Sequence, residues 1–249
     1  MGSVFCFVHR LIVCAYAQTE YMVKTGAKTG VKTLKYLVVI SSLGGVLFSL
    51  ITAEYDGYSR WWRRLMYFTA QSNIWIGCTA LLLLLFSDRM GATTQRRIYV
   101  LKYSFTVSIT LTGLVFCGLL APFADEGYVP WTIPNLLTHV FTPLFAAADF
   151  FLDGAQPWIT KKQRLICLLP PLAYCFFASA ACGLNIDFGR GENYPYFFLN
   201  YRSPSGVFGF SAQRPFFMGE FYWLAILSIL VWGIAALYAQ ISNRLRRKK

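Results

Sequence analysis

The chain has 249 residues, of which 56% are hydrophobic and 18% aromatic but only 14% charged, and its mean hydropathy is +0.48. Soluble domains carry about 25% charged residues, so composition excludes an ordinary water-facing globule. The net charge of +12 would suit nucleic acid, but the basic residues sit in short connections between apolar blocks, not on one soluble face with stacking aromatics, and a nucleic-acid ligand is set aside.

In chain order, residues 1–33 form a basic N-terminal arm. Its apolar stretch, residues 4–17, is too short to span a bilayer and is broken by His9 and Arg10. It reads as an interfacial segment, a poor signal sequence, or upstream translation before a start at Met22. Six apolar stretches follow, at about 34–54, 66–86, 98–120, 135–153, 164–183 and 220–242. Each is near the ~20 residues a helix needs to cross about 30 Å of hydrocarbon. Backbone groups in lipid must be satisfied internally, and the period-two pattern of a membrane barrel is absent, so helices follow. The expectation is an all-α polytopic membrane protein: a bundle of six transmembrane helices over 34–242, closed by a basic tail at 243–249.

Lys and Arg in the connections orient the bundle. The arm (Arg10, Lys24, Lys28, Lys32), the connections with Arg89, Arg96, Arg97 and with Lys161, Lys162, Arg164, and the tail together hold 15. The other side holds 6 (Arg60, Arg63, Arg64, Arg190, Arg202, Arg214), and the connection around Asp125 and Glu126 holds none. The first side is expected to be cytoplasmic, with both termini inside. The longest connection, 184–219, then lies outside. Its run Asn193-Tyr194-Pro195-Tyr196-Phe197-Phe198-Leu199-Asn200-Tyr201 is too aromatic for disorder and is expected to form an ordered cap or an interfacial aromatic belt.

The seven cysteines, at 6, 14, 78, 117, 167, 175 and 182, include no CxxC pair and no His at metal-ligand spacing, so they read as small core hydrophobes and no metal site is indicated. The informative positions are polar residues inside apolar spans, which cost free energy there. The second span opens with Phe68-Thr69-Ala70-Gln71-Ser72-Asn73, and the fourth with Asn135-Leu136-Leu137-Thr138-His139-Val140-Phe141-Thr142-Pro143. Both spans run from outside to inside, and Thr69 and His139 should lie roughly 6 Å below the outer boundary. Asn135, His139 and Thr142, spaced i, i+4, i+7, are expected on one stripe, and Thr69 and Asn73 on another.

A hydroxyl and an imidazole at one depth can act as nucleophile and base on a carbonyl. Asn135 could fix the ring, and amide donors of Gln71 or Asn73 could stabilise the oxyanion. The plainer reading is that these groups join helices, at about 0.6–2 kcal/mol each. Cys117, near the outer end of the third span, competes as a nucleophile. Asp149, ten residues beyond His139, lies about 15 Å away along the helix and is expected at the inner boundary.

The polar opening of the second span (Tyr67 to Asn73), the Asn135-to-Pro143 run with His139, and the Tyr194-Pro195-Tyr196-Phe197 loop resemble three landmarks of the androgen-induced-protein family of integral membrane hydrolases, and still more its bacterial cousins, the Pr-six-Pr membrane proteins. The landmarks fall in the same order, and the six-span layout covers about residues 34–242. The resemblance implies a threonine hydrolase of lipid esters in which Thr69 is the nucleophile and His139 its partner. This sequence departs from the eukaryotic branch at Leu136, where that branch has a second His.

The leading expectation is therefore a membrane hydrolase of lipid-like acyl esters in a bacterial plasma membrane, surrounded by membrane lipids and needing no metal or cofactor. Thr69 and His139 would be catalytic, Asn135, Gln71, Asn73 and Thr142 supporting, and Tyr194, Pro195 and Tyr196 part of a substrate-covering lid. A transporter or lipid-binding protein without catalysis, and an acyltransferase using Cys117, are the alternatives.

Overall fold

The computed structural model describes residues 28–123, 129–153 and 157–247. The readings made for the arm up to residue 27, and for the connection around Asp125 and Glu126, lie outside the described residues. Six helices are long and apolar enough to cross a membrane: α1 (Gly30–Ile51), α2 (Phe68–Arg89), α3 (Ala92–Leu120), α4 (Ile133–Leu152), α5 (Lys161–Gly183) and α6 (Glu220–Arg247). Among the described residues no strand forms beyond one isolated bridge, Phe210 to Met218. The chain is an all-α polytopic bundle. α6 runs on through Arg247, so the described part of the basic tail is the helix's last turns, where Arg244, Arg246 and Arg247 meet the negative end of its dipole.

α3 is the central helix and packs against α2, α4, α5 and α6, while α1 packs on α2 and α4. This place explains its unusual composition. Its hydroxyls face neighbours all round, and they bond to their own backbone one turn back: Thr106 to Lys102 O, Ser108 to Ser104 O, Thr110 to Thr106 O and Thr112 to Ser108 O, at 2.7–3.1 Å. Such back-bonding satisfies a polar group without a partner helix. α5 and α6 are peripheral and turn large apolar faces outward, including Leu169, Leu172, Phe176, Ile226 and Ile229.

Three spans carry π-helical turns: Ile40–Gly44 in α1, Phe116–Leu120 in α3 and Leu137–Phe141 in α4. Each widens the helix locally by an extra residue and rotates the remainder of the span about its axis, a feature concentrated at functional sites. Small residues let the helices approach beside them, as at other membrane interfaces. A Cβ on Gly45 would fall 2.8 Å from Thr138 Cγ2, and one on Gly113 only 2.7 Å from the His139 carbonyl oxygen.

The 184–219 connection is an ordered cap. Phe188, Phe198 and Leu199 are buried in it, a 3-10 turn spans Phe197–Leu199, and Phe197 and Phe198 pack on Trp223 at the start of α6. The Asp187 carboxylate accepts the N–H groups of Gly189 and Gly191, which take positive φ that a side chain would strain.

Candidate functional site

A narrow cavity lies at the end of the bundle that carries this cap. Its volume is about 50 Å³. Phe68 and Thr69 from α2, Thr112 and Val115 from α3, His139 from α4, Tyr174 and Cys175 from α5, and Tyr196 and Leu199 from the cap line it. Thr69 and His139 therefore border one space. Their levels are tied by Asn73, whose Nδ2 donates to the carbonyls of both Thr69 (2.8 Å) and Thr138 (3.2 Å).

Thr69 is the second residue of the helix Phe68–Phe86, and Tyr67 precedes it in extended conformation. Its backbone N–H thus belongs to the first turn, where no intrahelical acceptor exists. The Tyr196 hydroxyl takes up this place, lying 3.4 Å from Thr69 N and 3.4 Å from Thr69 Oγ1. The Tyr196 ring is held by Tyr67 at its edge and by Phe198 stacked at 5.2 Å. Burial pushes the Tyr196 phenol up to about 12 against the opposing pull of its Thr69 hydrogen bonds, so it is a protonated donor at neutral pH. Burial also raises Tyr67, with Tyr58 adding to the shift.

His139 sits inside the π-helical turn of α4 and is 7% exposed. Its ring stacks face to face on Phe116 at 3.9 Å and 11°, and Phe116 itself opens the π-helical turn of α3. Nδ1 is buried with no hydrogen-bond partner. Thr69 and His139 are not joined directly; the hydroxyl bonds Tyr196 instead.

The remaining sequence candidates fall in several places. Asn135 Nδ2 donates to the Pro130 carbonyl at 2.9 Å, not to His139 Nδ1. Gln71 Nε2 turns back to the carbonyls of Leu65 and Met66, and the Asn73 amide nitrogen is committed to two backbone oxygens, so neither amide is directed at an oxyanion in this state. Thr142 does not share the face of His139: its hydroxyl meets Ser41 of α1 at 2.9 Å and the Leu137 carbonyl five residues back. The i, i+4, i+7 stripe fails because the π-helical turn between them advances by more than 3.6 residues. Within the cap, Tyr196 reaches the cavity, Pro195 is buried beside it, and Tyr194 packs on Phe216. Cys117 is exposed and outside the cavity lining, whereas Cys175 lines it. Among the described residues no group of His, Cys, Asp or Glu is arranged to hold a metal ion.

A second polar assembly occupies the opposite, basic end. Asp149 lies in the last turn of the helix ending at Leu152 and is buried within the bundle, 1% exposed. Lys35 of α1 bonds Asp149 and Asp153 at 2.8 and 2.7 Å, and Lys102 of α3 bonds the same two at 2.7 and 2.9 Å. The Tyr99 hydroxyl donates to Asp153 at 3.1 Å. Two cations and two carboxylates neutralise each other across three helices. Lys35 and Lys102 each stand inside an apolar stretch, and that misplacement was the available signal.

No family model, curated protein or solved structure matches this chain.

Proposed function

We propose that the protein is a membrane-embedded hydrolase of lipid-like acyl esters, with Thr69 as nucleophile and His139 as base. The observation that carries this is one cavity bordered by a helix-terminal hydroxyl and by a buried imidazole whose Nδ1 has no partner. Buried polar groups are normally bonded, so an unpaired ring nitrogen beside a cavity reads as a group awaiting a ligand. An ester carbonyl lodged between the two would touch both. Thr69 Oγ1 attacks the carbonyl carbon while its proton passes to His139, which then protonates the departing alkoxide; water repeats the sequence on the acyl-threonine. The apolar lining favours an acyl chain, and the resemblance of the three landmark segments to the androgen-induced-protein and Pr-six-Pr families supports the same reading in a bacterial plasma membrane.

The test is purified full-length protein in detergent with a fluorogenic acyl ester. Wild type and Cys117→Ala should turn over at similar rates, and Thr69→Ala and His139→Ala should each lose activity by at least about 10²-fold. Full turnover in both of the latter refutes the assignment.

A further inference from the structure

The Thr69–Tyr196 contact is more specific than a lid resting on a cavity. A phenol hydroxyl from the cap lies within hydrogen-bond distance of two atoms at once, the hydroxyl oxygen of Thr69 and its main-chain nitrogen. That nitrogen belongs to the first turn of a 19-residue helix, whose N–H groups and dipole favour negative charge. A further observation marks the space beside it as built for a polar ligand: the buried Nδ1 of His139, on a cavity-lining residue, has no hydrogen-bond partner.

Resting on the hydrolase reading above, we infer that the Tyr196 phenol and the Thr69 backbone N–H form the oxyanion hole of this site. In the resting state the two donors satisfy each other and the hydroxyl. When Thr69 Oγ1 bonds the ester carbon, its proton moves to His139 and the carbonyl π pair moves onto oxygen. That oxygen develops its charge beside both donors, because it lies two bonds beyond Thr69 Oγ1, the atom that both already flank. Collapse returns the pair to the C=O bond, breaks the bond to the alkoxy oxygen and sends the His139 proton to it. Deacylation repeats the cycle with water as nucleophile and Thr69 Oγ1 as leaving group. The cap thus contributes a catalytic residue, and the cavity is incomplete without it. The Tyr196 ring contacts with Tyr67 and Phe198 hold the donor in place and do not depend on the hydroxyl.

The experiment compares wild type, Tyr196→Phe, Tyr174→Phe, Thr69→Ala and, as a control outside the cavity lining, Tyr222→Phe in the first turn of α6, where the ring stacks on Phe210 of the cap. Turnover of an acyl ester is measured together with inhibition by an acyl trifluoromethyl ketone, which adds to a nucleophilic hydroxyl as a hemiketal. Tyr196→Phe should lower kcat by about 10²–10³-fold, change KM little, and weaken the ketone by a matching factor, as expected for a group that binds the transition state. A role in packing alone would not link those two losses. Tyr222→Phe should stay at wild-type turnover. As a measurement that needs no variant, the wild-type adduct of ketone labelled with carbon-13 should show an ionised hemiketal at neutral pH. Wild-type turnover in Tyr196→Phe, a loss confined to Tyr174→Phe, or a neutral hemiketal overturns the oxyanion-hole assignment while leaving the hydrolase intact. A wild type with no turnover and no ketone binding removes the hydrolase reading itself.

Discussion

Replacing Lys102 by Met isolates the energetic role of the buried charge assembly. Lys102 is 1% exposed and contacts both Asp149 and Asp153, so its removal leaves two carboxylates facing only Lys35. An uncompensated buried charge of this kind costs about 3–5 kcal/mol. At about 2–4 °C per kcal/mol for a chain of this size, the melting temperature should fall by roughly 6–20 °C. The double variant Lys102→Met/Asp149→Asn restores neutrality and keeps the Lys35–Asp153 pair at 2.7 Å, with Tyr99 still donating to Asp153. It should regain most of the loss, because the penalty comes from imbalance and not from missing attraction. The assay is thermal unfolding of detergent-purified protein followed by tryptophan fluorescence. Asp149 stands ten residues beyond His139, about 15 Å along the helix, so ester turnover below the melting range should persist in both variants. A single variant that melts within about 2 °C of wild type, under about 1 kcal/mol on the same scale, or a double variant no more stable than the single, refutes the reasoning.

The site yields further expected outcomes. Gly113→Ala places a methyl 2.7 Å from the His139 carbonyl oxygen, so it should cost about 1–3 kcal/mol and depress turnover, whereas Gly118→Ala, which meets nothing within 4 Å, should change neither melting nor turnover. Thr142→Val removes one interhelical bond to Ser41, worth about 0.6 kcal/mol; it should leave kcat unchanged, and a collapse of kcat would restore Thr142 to the site. Cys175→Trp should fill the cavity and abolish turnover, while Cys117→Trp should be tolerated, both read by the ester assay. The pH dependence has a definite sign. Tyr196 titrates near 12 in the folded chain against an ordinary 10.0, so the unfolded chain loses its proton first and stability should fall as pH rises from about 10 towards 12. Tyr67, also raised, adds to the same fall, and Tyr196→Phe should make it shallower in melting curves taken across that range.

Six spans, and the level shared by Thr69 and His139, were legible in the sequence, because hydropathy over about twenty residues and helical rise are local quantities. Side-chain direction was less so. The straight-helix stripe placed Thr142 with His139, and the π-helical turn at Leu137–Phe141 separated them, since that turn is stabilised by packing against the π-helical turn of α1 that no local pattern announces. The amides of Gln71 and Asn73 looked like oxyanion donors because their chemistry allows it; in the folded chain nearby carbonyls claim them first. Lys35 and Lys102 give only a weak signal inside their apolar stretches, as each is one charge in a window of about twenty residues. Their meaning appears when Asp149 and Asp153 arrive from 114 and 118 residues beyond Lys35 and 47 and 51 beyond Lys102.

The amino-acid order by itself determined that this chain crosses a membrane as six helices, because a backbone without water must bond to itself and these residues leave it no polar surface to do otherwise. Only the tertiary structure decided which hydroxyl meets Tyr196, that the imidazole of His139 lies flat on Phe116 beside the cavity, and that four buried charges cancel. Those outcomes depend on rotations of one helix against another, and such rotations are settled by contacts between segments far apart in the chain.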